Sequence, residues 1–160
     1  MEKFFRDNCL KNFVILNNLA KNGKFDDINQ LIFETKKIIG YKIELNLLDT
    51  TFSLLGRVVP KSGGFTIYLN RNMDNDLYRF VLGHEIGHIL NSFEYTRPWP
   101  TIISYIENLE EKICDYIGLE LSNSKIDFLN KIKMYEKLSN KRLIDELVLN
   151  EYVKRNNLRM

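Results

Sequence analysis

Both histidines of this 160-residue chain lie in one five-residue window, His84-Glu85-Ile86-Gly87-His88. On an α-helix, side chains four residues apart lie one above the other, about 6 Å apart, so both imidazoles can reach one metal ion. Glu85 is rotated by about 100° from His84, which makes it a poor third ligand but leaves it within reach of a metal-bound water. The window therefore predicts a helix that carries two metal ligands and one general base.

The hydrophobic pattern changes twice along the chain, which predicts one α+β domain over residues 1–160 with a small antiparallel three-stranded sheet. Helical spacing in the first forty residues gives way to alternating apolar and polar residues and then returns. Pro60 is expected to stop the second strand, Phe65 to Leu69 to form the third, and Asn140 to cap the last helix. The predicted parts are N-terminal helices (1–40), the sheet (41–70), two helices of the metal site (74–121) and C-terminal helices (124–157).

Composition excludes several other classes of protein. The chain is 44% hydrophobic, with 23 Lys and Arg against 21 Asp and Glu, so it can form a core and does not have the charge of a nucleic-acid coat. No stretch approaches the ~18 consecutive apolar residues of a membrane-spanning helix, and charged residues interrupt the N-terminus where a signal peptide would be apolar. We expect a cytoplasmic protein without disulfides, without a membrane partner and without direct binding to nucleic acid.

A zinc site of this kind needs a third protein ligand, and no further histidine is available. The remaining candidates are carboxylates of the next predicted helix and the two thiols: Glu107, Glu110, Glu111, Asp115, Cys9 and Cys114. Glu111 as a ligand, with Asp115 one turn later as the hydrogen-bond partner of a histidine, would satisfy both carboxylates. The alternative interpretation of these acids is a solvated helix face.

Two glycines of the motif helix, Gly83 and Gly87, also lie four residues apart. Each costs about 0.8–1 kcal/mol relative to alanine inside a helix. Two glycines on one face of a helix indicate that another backbone approaches this face closely. We expect that backbone to belong to the sheet or to a substrate.

Two segments resemble the ImmA/IrrE family of metallopeptidases. Residues 79–90 are similar to the family's motif helix with its H-E-x-G-H sequence, and Ile67-Tyr68-Leu69-Asn70 is similar to the short strand ending in Asn that precedes it. Residues 111–121 are similar to a later helix of the form E-x-x-A-[DN]-x-F-A-x-x-L-L. Cys114 stands where that pattern has Ala, and Ile117-Gly118 stands where it has Phe-Ala.

The resemblance implies one zinc ion held by His84, His88 and Glu111, with Glu85 as the base and Asp115 supporting the first histidine. Glu110 stays open as an alternative third ligand, because the departures leave the register of that helix unsettled. The implied function is a zinc-dependent endopeptidase that acts on a helix-turn-helix repressor of a phage or mobile element. The alternative is a non-catalytic anti-repressor that keeps the metallopeptidase scaffold and acts by contact alone.

A peptidase also needs a hydrogen-bond donor for the oxyanion and a place for the peptide. The candidate donors close in sequence are Tyr95, Arg97, Tyr105 and Tyr116. The strand at residues 65–70, if it is the edge of the sheet, could bind an extended peptide by strand addition.

Overall fold

The computed structural model of the chain describes residues 1–5, 7–23, 27–49, 55–92 and 104–160, with the backbone alone described for Ser92 and residues 104–108. Within these residues the fold is α+β, as predicted. After a short 3₁₀ helix at Glu2–Phe4, the elements are α1 (Asp7–Lys21), α2 (Gln30–Ile39), β1 (Lys42–Leu48), β2 (Gly56–Lys61), β3 (Gly64–Asn70), α3 (Asn75–Ser92), α4 (Ser104–Leu121), α5 (Ile126–Ser139) and α6 (Glu146–Arg155). None of the described helices is both long enough and apolar enough to cross a membrane.

The three strands form a mixed sheet, so the prediction of an antiparallel sheet was wrong. The strand order is β1-β3-β2, with β1 parallel to β3 and β2 antiparallel to it. Gly64 permits the parallel pairing, because a Cβ at this position would lie 2.0 Å from the carbonyl oxygen of Lys42. Alternation of apolar and polar residues reports which side chains are buried but carries no information about strand direction.

The edge of the sheet near α3 is β2, and β3 lies in the centre. Residues 65–70 are therefore not an edge strand, so the condition for strand addition at these residues is not met, and Ile67 and Leu69 of β3 are fully buried. Pro60 does not stop β2 but lies inside it, paired with Phe65. An edge strand tolerates proline because one of its two sides makes no ladder hydrogen bonds.

The core lies around α3, which packs on α4, α1, β2 and β3. Its buried apolar residues point to several sides of the helix, as is typical of a helix enclosed by neighbours: Phe80, Val81, Leu82, Ile86, Ile89 and Leu90. From α4 the core receives Ile113, Tyr116 and Ile117, and from α1 it receives Phe13 and Leu16. Both cysteines, Cys9 of α1 and Cys114 of α4, are buried.

The two C-terminal helices are joined differently from the prediction. Asn140 adopts a left-handed conformation (φ 54°) and ends α5, so it does not begin the last helix. That position belongs to Asp145, whose carboxylate accepts hydrogen bonds from the backbone N–H groups of Leu147 and Val148. The connection between these helices, residues 140–145, forms one wall of the site described next.

Candidate metal centre

One turn of α3 carries His84, Glu85 and His88. The centroids of the two imidazole rings are 5.0 Å apart, and both side chains are mostly buried, with 14% and 17% of their surface exposed. The spacing of the motif thus places both rings side by side on one face of the helix, as its sequence predicts.

Glu111 of α4 lies opposite the two rings. One of its carboxylate oxygens is 3.3 Å from His84 Nε2, and the other is 3.1 Å from His88 Nε2. Ligand atoms of these three residues all lie within 4.8 Å of one another, which is compatible with a shared metal ion. The Glu111 side chain is 58% exposed, so the cluster is open to solvent on the side of α4.

The other nitrogen of each histidine meets a second carboxylate. Asp115 Oδ1 lies 2.9 Å from His84 Nδ1, and Glu110 Oε1 lies 3.0 Å from His88 Nδ1. Metal-binding histidines commonly hold their remaining N–H in this way, which fixes the orientation of the ring. Both rings are therefore oriented with Nε2 toward Glu111, and this geometry fits a divalent metal ion.

The partnership between Glu110 and His88 was not anticipated from the sequence, where Glu110 was only an alternative ligand. His88, Glu110 and Cys114 also form a group with ligand atoms within 4.8 Å. Burial raises the pKa of the Cys114 thiol to about 12, so without a metal ion this thiol is protonated at neutral pH. Of the other candidates, Cys9 is buried in α1, and the side chain of Glu107 lies outside the described residues.

The charges in the cluster are strongly coupled. Burial lowers the pKa of His84, but hydrogen bonds with Asp115 and Glu111 outweigh it and raise the pKa to about 9. Burial also lowers the pKa of His88, while contacts with Cys114, Glu110 and Glu111 raise it more strongly. Hydrogen bonds from both imidazoles hold the pKa of Glu111 well below its usual range. The protons on the two imidazoles supply positive charge next to the carboxylates. A divalent cation would supply that charge instead, and its binding would release the protons.

Glu85 is buried between α3 and the edge strand, with 6% of its surface exposed. Burial raises the pKa of this carboxyl, and the charges of His84 and His88, with a smaller contribution from a backbone hydrogen bond of Val58 in β2, partly offset the rise. Gly56 makes room for it, because a Cβ at that position would lie 3.1 Å from Glu85 Oε1. A carboxylate with a raised pKa is suited to proton transfer near neutral pH.

Two cavities flank the cluster and share Gly56, His84, Glu85 and Glu111 as lining residues. The larger, of about 430 Å³, extends toward the start of α3 and the connection between α5 and α6. The smaller, of about 320 Å³, extends along β2, where Val58, Pro60 and Phe65 line it. The cluster thus lies in the middle of a groove with space on both sides, which we call the site groove.

The α3–α4 contact explains the two motif-helix glycines. A Cβ at Gly83 would lie 3.0 Å from Gly118 Cα, and a Cβ at Gly87 would lie 3.1 Å from Cys114 Cα. The closely approaching backbone is therefore that of α4. The expectation that it belongs to the sheet or to a substrate was wrong. This close packing brings Glu111 within reach of both histidines.

Of the four candidate oxyanion donors, the structure describes the side chain of Tyr116 alone. Tyr95, Arg97 and the side chain of Tyr105 lie outside the described residues. Tyr116 is fully buried among Phe5 and Phe13, its hydroxyl contacts Arg155, and it lines neither cavity of the site groove.

Comparison with known proteins gives no match: no protein-family model, no curated protein and no solved structure is similar to the chain.

Proposed function

We propose that the chain is a zinc-dependent endopeptidase of the ImmA/IrrE type that hydrolyses a peptide bond in a specific protein substrate. The observation that carries the proposal is the donor set: two Nε2 atoms face one carboxylate, and each Nδ1 is held by another. Two imidazoles and a carboxylate are the protein ligands of a common class of catalytic zinc site. His84, His88 and Glu111 would hold the ion.

Bound zinc would lower the pKa of a coordinated water and polarise the scissile carbonyl. Glu85 accepts a proton from the attacking water and passes it to the leaving amine nitrogen. Burial raises the pKa of its carboxyl, which favours both steps near neutral pH. Asp115 and Glu110 hold the two rings in the orientation that presents Nε2 to the metal.

The site groove supports an extended peptide as the substrate. Space on both sides of the cluster suits cleavage within a chain better than removal of a terminal residue. Among the described strands β2 pairs with β3 alone, so its outer side offers backbone groups to a peptide that adds as a further strand. A DNA-binding repressor of a phage or mobile element is the substrate that the family resemblance favours.

The metal site is tested by elemental analysis of protein that has been reconstituted with zinc and dialysed. We expect one zinc per chain, and no tight binding in the His84→Ala, His88→Ala or Glu111→Ala variants. Glu110→Ala is the matched control on the same helix. Since Glu110 only orients His88, its loss should weaken binding by about 10–100-fold without abolishing it. If Glu110→Ala abolishes binding and Glu111→Ala does not, the third ligand is wrongly assigned.

The catalytic proposal is tested with Glu85→Gln, which keeps the size of the side chain and removes no metal ligand. The variant should bind zinc and the partner but lose cleavage by about 10²–10⁴-fold. The assay is a reporter under a helix-turn-helix repressor encoded beside the gene, with a blot for repressor fragments. Full derepression by Glu85→Gln without fragments would instead establish an anti-repressor that acts by contact.

A further inference from the structure

The connection between α5 and α6 forms one wall of the larger cavity. This wall carries a single basic side chain, Arg142. Among the described residues that line this cavity, Arg142 is the only lysine or arginine. His84, Glu85 and Glu111 line the same cavity, so Arg142 lines the same groove as the proposed catalytic groups.

The backbone beside Arg142 is fixed to the rest of the site. The carboxylate of Glu136 accepts hydrogen bonds from the N–H groups of Leu143 (2.7 Å) and Ile144 (3.0 Å). The next N–H, that of Asp145, donates to Asp115 Oδ2 at 3.0 Å, while Oδ1 of the same carboxylate meets His84. Arg142 therefore extends from a segment whose position is tied to a proposed metal ligand.

The acidic groups of this cavity already have partners. Asp115 bridges His84 and the backbone of Asp145, Glu111 faces both imidazoles, and Asp145 caps α6. Arg142 has a weaker attachment, an ion pair of 3.3 Å with Glu146, in which the side chains are 63% and 66% exposed. Exposed pairs of this kind contribute little to stability, so a carboxylate entering the groove can replace Glu146.

We propose that Arg142 recognises a carboxylate of the substrate peptide and so determines specificity on this side of the scissile bond. The inference rests on the proposed function, since it names the substrate chemistry of the same groove. A guanidinium binds a carboxylate through two parallel hydrogen bonds. The rest of the wall is apolar and suits the aliphatic part of a side chain: Leu55, Phe80, Val81, Leu143 and Ile144. The carboxylate belongs either to an internal Asp or Glu or to the C-terminus of a peptide.

The test uses zinc-loaded protein and a mixture of short peptides of diverse sequence, with cleavage followed by mass spectrometry. Each cleaved peptide is then made in matched forms that differ only in Glu against Gln, or in a free against an amidated C-terminus. For wild-type protein we expect kcat/KM to be about tenfold higher for the form that carries the carboxylate, mainly through KM. The pair that shows the difference identifies the source of the carboxylate.

Arg142→Ala should reduce this ratio to near one, and Arg142→Glu should reverse it, so that the form without the carboxylate is cleaved better. Because the ratio is taken within each variant, a general loss of activity does not affect it. Lys141→Ala is the matched control, since Lys141 is exposed and lines neither cavity, and it should behave as wild type. A wild-type ratio of one, or a ratio that survives Arg142→Ala, overturns the inference.

If the wild-type protein cleaves none of the short peptides, recognition of the carboxylate is tested by binding, while the proposed function is decided by the repressor assay with Glu85→Gln. In that case peptides of the mixture are made in matched Glu and Gln forms and labelled, and their binding to the zinc-loaded protein is measured by fluorescence anisotropy. Tighter binding of the Glu form that is lost in Arg142→Ala supports the inference. Equal affinity for the Glu and Gln forms overturns it.

Discussion

Gly118 on α4 allows a direct test of how closely α3 and α4 must pack. A Cβ at this position would lie 2.9 Å from the carbonyl oxygen of Phe80 and 3.1 Å from the backbone nitrogen of His84. Both are main-chain atoms of α3, so they cannot rotate away as a side chain can. Gly118→Ala therefore forces the two helices apart by several tenths of an ångström.

Two opposing terms determine the magnitude. Alanine is favoured over glycine inside a helix by about 0.8–1 kcal/mol, whereas overpacking of a well-filled interior costs about 1–3 kcal/mol. We expect the free energy of unfolding to fall by up to about 2 kcal/mol, which lowers the melting temperature of a chain of this size by up to about 4–8 °C. The affinity for zinc should fall as well, because α3 supplies the two histidines and α4 supplies Glu111. Straining one ligand side chain by this displacement costs about 1 kcal/mol, or roughly fivefold in zinc affinity.

The assay is thermal unfolding of metal-free and zinc-loaded protein, together with a competition titration against a chelator. Gly87→Ala is the matched comparison, because its Cβ would meet Cys114 at 3.1–3.3 Å and two of the three nearest atoms belong to the Cys114 side chain. There the gain in helix propensity and the cost of crowding should nearly cancel. If Gly118→Ala has the stability and zinc affinity of wild type, the glycines do not set the spacing of the two helices.

Two further variants separate the metal site from the fold. Asp115→Asn retains the shape of the side chain that bridges His84 and the backbone of Asp145, and it should lower zinc affinity by about 10–100-fold in chelator competition; unchanged affinity would show that this carboxylate does not orient His84. Tyr152→Phe removes a buried hydroxyl that donates to the carbonyl of Ser124 at 2.8 Å, and it should cost about 1–2 kcal/mol in urea unfolding. The zinc affinity of Tyr152→Phe should stay at the wild-type value. A lower zinc affinity would show that the metal site and the stability of the fold do not vary independently.

The elements of the fold follow from local patterns, and their arrangement does not. Helical spacing predicts α1 and α3, and alternation predicts strands β1 and β3, because each pattern reflects which side chains are buried. The position of β3 between its neighbours depends on Gly64, where the missing Cβ permits approach to Lys42. A lone glycine in a strand signals close approach of some backbone, but it does not identify which one.

The candidate site also has a part that local sequence predicts and a part that depends on tertiary contacts. His84, Glu85 and His88 are related by helix geometry alone, so their grouping can be predicted. Glu110 and Glu111 are adjacent on α4, and their different roles depend on how that helix is rotated against α3. Tertiary contacts set that rotation. Arg142 had no local signal, because its place in the site groove results from the hydrogen bond between Asp145 and Asp115.

Two departures from the ImmA/IrrE pattern lie together in the α3–α4 contact. Gly118, where the pattern has alanine, meets Gly83, and Cys114, also at an alanine position, meets Gly87. The chain thus loses a methyl group at one end of this contact and gains a sulfur atom at the other, one helical turn away. With both residues present, the oxygens of Glu111 face the two histidines. The two positions concern how the two helices pack, and the proposed ligands are in place in the structure that carries both residues.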